Sequence, residues 1–128
     1  MDERGTQPPG TAPTILVCDD DPSLRELVRA VLGDGYGFIE AADGVEALDL
    51  ARDASPDLIV LDVMLPGMSG IEVLAALKAD EALAAIPVVV ITAWSHAELE
   101  AGVAGADRFV RKPFDPDALS AAVEELLA

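Results

Sequence analysis

The chain has 128 residues, enough for one domain that buries roughly two thirds of the surface its unfolded form exposes. It is 52% hydrophobic, yet no apolar run approaches the ~20 residues needed to cross a bilayer, and the N-terminus lacks the basic-then-apolar pattern of a signal peptide; a soluble, cytoplasmic protein with no membrane partner is expected. Twenty-four acidic residues against eight basic ones give a formal charge of −16, which opposes a phosphate backbone and excludes nucleic-acid binding by this chain alone.

Residues 1 to 13 mix charge with Gly, Pro and Thr without hydrophobic period and read as a flexible tail. A single folded domain is expected over residues 14–128. Its first apolar run, Ile15 to Cys18, is short and continuous, as in a strand buried on both faces. The lone Cys18 within it reads as a small buried hydrophobe with no redox role. Asp21 caps a helix with Pro22 at its first position; Leu24, Leu27, Val28, Val31 and Leu32 then follow the helical period, and Gly33 and Gly35 end it. A second strand over Gly37 to Ala41 precedes a helix with Asp43 and Glu46 at capping-box spacing and Val45, Leu48 and Ala51 turned inward. A third strand, Leu58 to Leu61, is followed by a helix from about Gly70 carrying Val73, Leu74 and Leu77. The fourth strand is Val88 to Ile91, with a short helix expected over residues 95–104, weakened by Gly102 and Gly105. The fifth strand, Arg108 to Val110, leads to a last helix opened by Asp115 and Pro116 and carrying Leu119, Ala122, Val123, Leu126 and Leu127. Five strands alternating with five helices predict a doubly wound α/β domain, a parallel sheet with helices on both faces.

In such a sheet all strands end at one edge, where ligands bind near the switch in strand order. Here the first strand ends in Asp19 and Asp20, the third in Asp62, the fourth in Thr92 and the fifth in Arg111, Lys112 and Pro113. Taken singly, each has a bland reading: Asp20 and Asp21 as helix caps, Asp62 as a turn residue before Pro66 and Gly67, Thr92 and Lys112 as ordinary strand ends. For Asp21 the capping role is preferred. Together they bring three carboxylates, a hydroxyl and an ammonium to one edge. Two like charges 4 Å apart cost about 4 kcal/mol at an effective dielectric near 20. A hard divalent cation relieves that cost, and Mg²⁺ commonly takes one or two carboxylates, waters and a phosphate oxygen. A Mg²⁺ site that accepts phosphate is the economical reading, with Lys112 as a compact positive charge and Thr92 as a donor to a phosphoryl oxygen.

The segments ILVCDDDP, LDVMLPGMSG, VVVITA and FVRKPF, in this order and near these spacings, resemble the receiver domains of two-component response regulators over about residues 14–128. The resemblance implies a flavodoxin-like sheet of order 2-1-3-4-5. It implies a signalling switch rather than an enzyme with an external substrate: Asp62 accepts a phosphoryl group from a phosphohistidine on a sensor histidine kinase or histidine phosphotransfer protein. By the same resemblance Asp20 and Asp62 ligate Mg²⁺ with the backbone carbonyl of Met64, and Asp19 acts through a bound water. Lys112 pairs with the phosphoryl group, Thr92 bonds one of its oxygens, small Ala93 leaves room for it, and Phe109 is the aromatic whose exposure changes on activation. The output would be a conformational change on the face built from the 95–104 stretch, the fifth strand and the last helix. The Lys112–Pro113 peptide is expected to be cis. Met64 and Trp94, two residues past Asp62 and Thr92, are bulky and cannot accept a proton from an attacking water, which makes them a candidate water gate. The lone His96 reads as an exposed surface residue, not a phosphodonor.

Two other classes are weighed. A flavodoxin-like cofactor module would want a phosphate-cradling loop after the first strand, where this chain has acidic DDDP. An aspartyl phosphatase commonly needs a general acid two residues past its nucleophile, where this chain has Met64. With no output domain in its 128 residues, the chain is read as either a stand-alone regulator or the receiver of a longer protein.

Overall fold

The computed structural model describes residues 12–93, 106–112 and 115–128. In chain order these form β1 (Thr14–Cys18), α1 (Pro22–Leu32), β2 (Gly37–Ala41), α2 (Gly44–Ala54), β3 (Leu58–Asp62), α3 (Gly70–Ala79), β4 (Val88–Thr92), β5 (Arg108–Arg111) and α4 (Pro116–Leu127). The five strands make one sheet of order β2-β1-β3-β4-β5 with every pair parallel. The 1–11 part of the expected tail, the helix expected over 95–104, Trp94, His96 and the Lys112–Pro113 peptide lie outside the described residues.

Because strand side chains alternate between faces, the apolar runs supply two cores at once. Leu16, Cys18, Ile59, Leu61, Val88 and Val90 pack with Ala47, Leu48 and Ala51 of α2 and Val73, Leu74 and Leu77 of α3. Ile15, Val17, Leu58, Val60, Val89 and Ile91 pack on the opposite face with Val28 of α1 and Leu119, Ala122 and Val123 of α4. Strands β3 and β4 are therefore buried along their whole length. The edge strands are not, contrary to the sequence expectation: β2 is half-buried except for Ala41 and only Val110 of β5 is buried, because each has a neighbour on one side only.

Helix starts follow local chemistry. Asp21 and Asp115 accept the amides of Ser23 and Asp117, with proline next in the chain. Asp43 accepts the Glu46 amide, but the Glu46 carboxylate reaches back to the amide of Ala42 rather than Asp43. The reciprocal capping box occurs instead at α3, between Ser69 and Glu72. Val45, expected to turn inward, does not, and Leu27 of the α1 period also stays out of the core. Val45 is 53% exposed and Leu27 47%, since Gly44, Ala47, Leu48 and Ala51 occupy the buried stripe of α2 and Val28 alone is fully buried on α1.

Two glycines permit close backbone approach near the carboxyl edge. A Cβ on Gly44 would overlap the Met68 carbonyl, and one on Gly70 would overlap the Asp62 carbonyl and the Val63 Cα. Gly44 also donates to Pro66 O at 3.3 Å, and Gly70 to Val63 O at 3.0 Å, so the loop after β3 is pinned by the first turns of α2 and α3. In an open helix Gly→Ala adds about 1 kcal/mol of stability; Gly44→Ala is expected to do the reverse, lowering the melting temperature by several degrees in thermal denaturation.

Candidate functional site

The period-two alternation that builds the cores also aims the polar residues. Asp62 ends β3 in the same phase as Leu58 and Val60. Asp19 and Lys112 lie one residue past β1 and β5, but pairing continues through them: the Asp19 amide donates to Ala41 O at 3.1 Å and the Lys112 amide to Thr92 O at 2.8 Å. They thus keep the phase of Val17 and Val110. All three side chains meet: Lys112 Nζ donates to Asp62 Oδ2 at 2.8 Å and to Asp19 Oδ2 at 3.1 Å.

The remaining carboxylate oxygens are held by backbone. Asp62 Oδ1 accepts the Met64 amide at 3.0 Å, and Asp19 Oδ1 accepts the Asp21 amide at 2.9 Å. Both side chains are nearly dry, with 4% and 5% exposure. Asp20 is exposed, and its carboxylate makes no hydrogen bond with the described residues. One oxygen from each of Asp19, Asp20 and Asp62 lies within 4.8 Å of the others. Three carboxylates against one ammonium leave two negative charges over, which matches the oxygen chemistry and charge a divalent cation requires.

Burial pushes the Asp19 carboxyl up from 3.8 to about 6; the Asp21 amide and Lys112 pull it down, the Asp62 charge pushes it further up, and desolvation wins. Burial also works against the Lys112 ammonium, but the bonds to Asp62 and Asp19 outweigh it and hold its pKa above the ordinary value. The Cys18 thiol is pushed up by burial, in keeping with a packing role.

Of the other sequence candidates, Thr92 is fully buried at the end of β4 and exposed Ala93 follows it. Met64 is 60% exposed and lines, with Asp20, Pro66 and Ile71, a surface pocket of about 430 Å³. Phe109 is 43% exposed on β5, away from the carboxylates in phase. One residue at the site went unnoticed in the sequence. Arg25 of α1 donates through Nη1 to the Asp19 carbonyl at 2.6 Å and through Nε to Glu40 at 2.8 Å; in the sequence it is one of several polar residues on an amphipathic helix.

Residues 15–124 match the response regulator receiver domain family. The chain belongs to that family. It is 45% identical over 116 residues to the DNA-binding response regulator MtrA of Mycolicibacterium smegmatis, covering 88% of this chain and 50% of the relative. It is 39% identical over 117 residues to the phosphate regulon transcriptional regulatory protein PhoB of Pseudomonas aeruginosa, covering 89% and 51%. The chain therefore spans about half the length of these curated relatives. Among solved structures, the chemotaxis response regulator CheY4 of Vibrio cholerae superimposes with a TM-score of 0.83 at 33% identity, covering 91% of this chain and all of that one. The receiver domain of the Francisella response regulator 1452 gives 0.82 at 32%, covering 90% and 96%. The strand order of this receiver domain is the one the resemblance implies.

The raised Asp19 pKa fixes a sign. A neutral Asp19 favours the fold; that contribution is complete below pH ~3.8 and is lost as the pH rises through about 6. In chelator, Asp19→Asn is expected to raise the melting temperature of the receiver domain near pH 7.5 and to change it far less near pH 4, as read by thermal denaturation at the two pH values.

Proposed function

We propose that this receiver domain is a Mg²⁺-dependent switch that takes a phosphoryl group onto the carboxylate of Asp62. The observation that carries the reading is the Lys112 ammonium shared by the buried carboxylates of Asp19 and Asp62, with Asp20 close beside them. Acceptance of a phosphoryl group is largely positioning and charge stabilisation, and the described residues supply both. The Met64 amide and the Lys112 ammonium hold the two Asp62 oxygens in a fixed orientation. One of these oxygens forms the new bond to phosphorus as the phosphorus–nitrogen bond of a phosphohistidine breaks, its electron pair returning to the imidazole. Lys112 exchanges its contact with a carboxylate for one with the phosphoryl oxygens, Thr92 donates to another, and Ala93 leaves them space.

Asp20, Asp62 and the Met64 carbonyl are the residues that would hold Mg²⁺, with Asp19 acting through a water. Bound there, the ion neutralises charge on the transferring group and the carboxylates. The donor is a sensor histidine kinase or a histidine phosphotransfer protein in the cytoplasm. The response passes to the face that includes β5, with Phe109, and α4. The chain's charge of −16 argues that any nucleic-acid contact like that named for MtrA belongs to a part of the protein outside these residues.

Incubation with Mg²⁺ and a small phosphodonor, followed by intact mass and peptide mapping, is expected to label Asp62 and to leave Asp62→Asn unlabelled; equal labelling of that variant would overturn the assignment. Mg²⁺ at 100 times its dissociation constant is expected to stabilise the fold by about 2.7 kcal/mol, and Asp20→Ala to remove most of that gain.

Dephosphorylation calls for a water in line with phosphorus. The exposed Met64 beside Asp20 cannot take a proton from it, and neither can Trp94. Met64 and Trp94 are the proposed water gate, which would make phospho-Asp62 long-lived. Met64→Asn and Trp94→Glu are expected to speed its loss at fixed Mg²⁺, most in the double variant. Rates equal to the parent would assign both side chains to packing.

A further inference from the structure

We propose that Arg25 is a positioning residue for the divalent-cation site, fixing the Asp19–Asp20 peptide from the side of α1 with Glu40 as its anchor. The inference rests on the metal site proposed above. The Asp20 carboxylate is exposed and makes no hydrogen bond with the described residues, so the backbone that carries it is what limits where it can reach. The peptide joining Asp19 to Asp20 is planar; fixing its carbonyl oxygen therefore fixes the plane that holds the Asp20 Cα and from which its side chain departs. Arg25 supplies that contact through Nη1, at 2.6 Å from the Asp19 carbonyl.

The same guanidinium is held by β2. Its Nε lies 2.8 Å from Glu40 Oε1, and Arg29 Nη1 reaches the other Glu40 oxygen at 3.3 Å. The Arg25 side chain is only 16% exposed, so it is not a solvated surface charge. Asp19 is consequently tied to β2 on both sides of its Cα, through its amide to Ala41 O and through its carbonyl to Arg25 and Glu40. The forked, planar guanidinium serves a carbonyl and a carboxylate at once, which the point charge of a lysine does less well.

Positioning and electrostatics make opposite predictions here. As a positive charge, Arg25 repels a divalent cation, so its removal should tighten Mg²⁺ binding if charge were its only effect. As a positioning group its removal should weaken binding, and loss of groups that orient metal ligands typically costs about 10- to 100-fold in affinity.

The test uses the 128-residue chain, with Mg²⁺ titrated by calorimetry and amide hydrogen exchange followed without metal. For Arg25→Met the expected result is a dissociation constant raised about tenfold or more, with faster exchange at the Asp21 amide and unchanged exchange at Val60 in the core. Unchanged or tighter Mg²⁺ binding would overturn the inference, as would faster exchange at Val60 to the same degree, which would mark a general loss of stability. If Arg25→Met does not fold, Arg25→Lys keeps the charge and is expected to weaken Mg²⁺ several-fold, parent-like affinity again counting as refutation. A parent that binds no Mg²⁺ would bring down the site reading itself, whereas a parent that binds and variants that bind equally would bring down only the role of Arg25.

Discussion

The site depends on one ammonium reaching across the sheet. Lys112 extends from β5, which is separated from β3 by β4 and from β1 by β4 and β3. Strands are ~4.8 Å apart, so two spacings already exceed what a short side chain covers, and the contacts to Asp62 and Asp19 at 2.8 and 3.1 Å require a long one. It crosses the carboxyl end of β4, where the chain places Thr92 and Ala93. Remove that ammonium and two nearly dry carboxylates face each other with one backbone amide apiece and no countercharge between them, a burial that strongly destabilises a fold.

The three carboxylates have unlike surroundings, and their expected roles follow. Asp19 is occupied on both oxygens by the Asp21 amide and Lys112, and desolvation makes it the reluctant anion. Asp62 is held by an amide on one oxygen and the ammonium on the other, an arrangement that fixes the orientation of its carboxylate. Asp20 is exposed and carries no such bonds within the described residues, which leaves its oxygens available to a ligand. The graded environments come from chain position alone: Asp62 lies within a buried central strand, Asp19 one residue beyond one, and Asp20 at the start of a turn.

The fold was legible because both faces of the sheet are covered. Runs such as Leu58 to Leu61 and Val88 to Ile91 are too short for helices and too continuous for one-sided strands, and both prove buried throughout. The same rule overreached at β2 and β5, where Glu40, Arg108 and Arg111 interrupt the apolar residues as an edge strand allows. Helical period locates a stripe but not its centre: on α2 Gly44 and Ala47, with no strong hydrophobic signal, lie in the buried stripe and leave Val45 outside it, and on α1 the stripe centres on Val28 and leaves Leu27 at its margin. The convergence of Asp19, Asp20, Asp62 and Lys112 was readable because strand ends share an edge. Arg25 was not, since its partners are a backbone carbonyl and a strand residue fifteen positions away, and neither leaves a pattern in the chain. The Ser69-to-Glu72 capping box, by contrast, carries a local Ser-x-x-Glu pattern.

The site draws on every strand, though not equally. Short carboxylates come from the central strands β1 and β3, whose backbones are locked by pairing on both sides and by a core on both faces. Long cationic reach comes from the margins, with Lys112 beyond edge strand β5 and Arg25 on α1 anchored to Glu40 of edge strand β2. The division has a physical basis. A two-bond side chain inherits the order of its backbone, so the groups that must keep a fixed spacing belong where packing is densest. A long side chain adjusts its own torsions, so a cation anchored at the margin still reaches partners two and three strands away, as Lys112 does to Asp62 and Asp19.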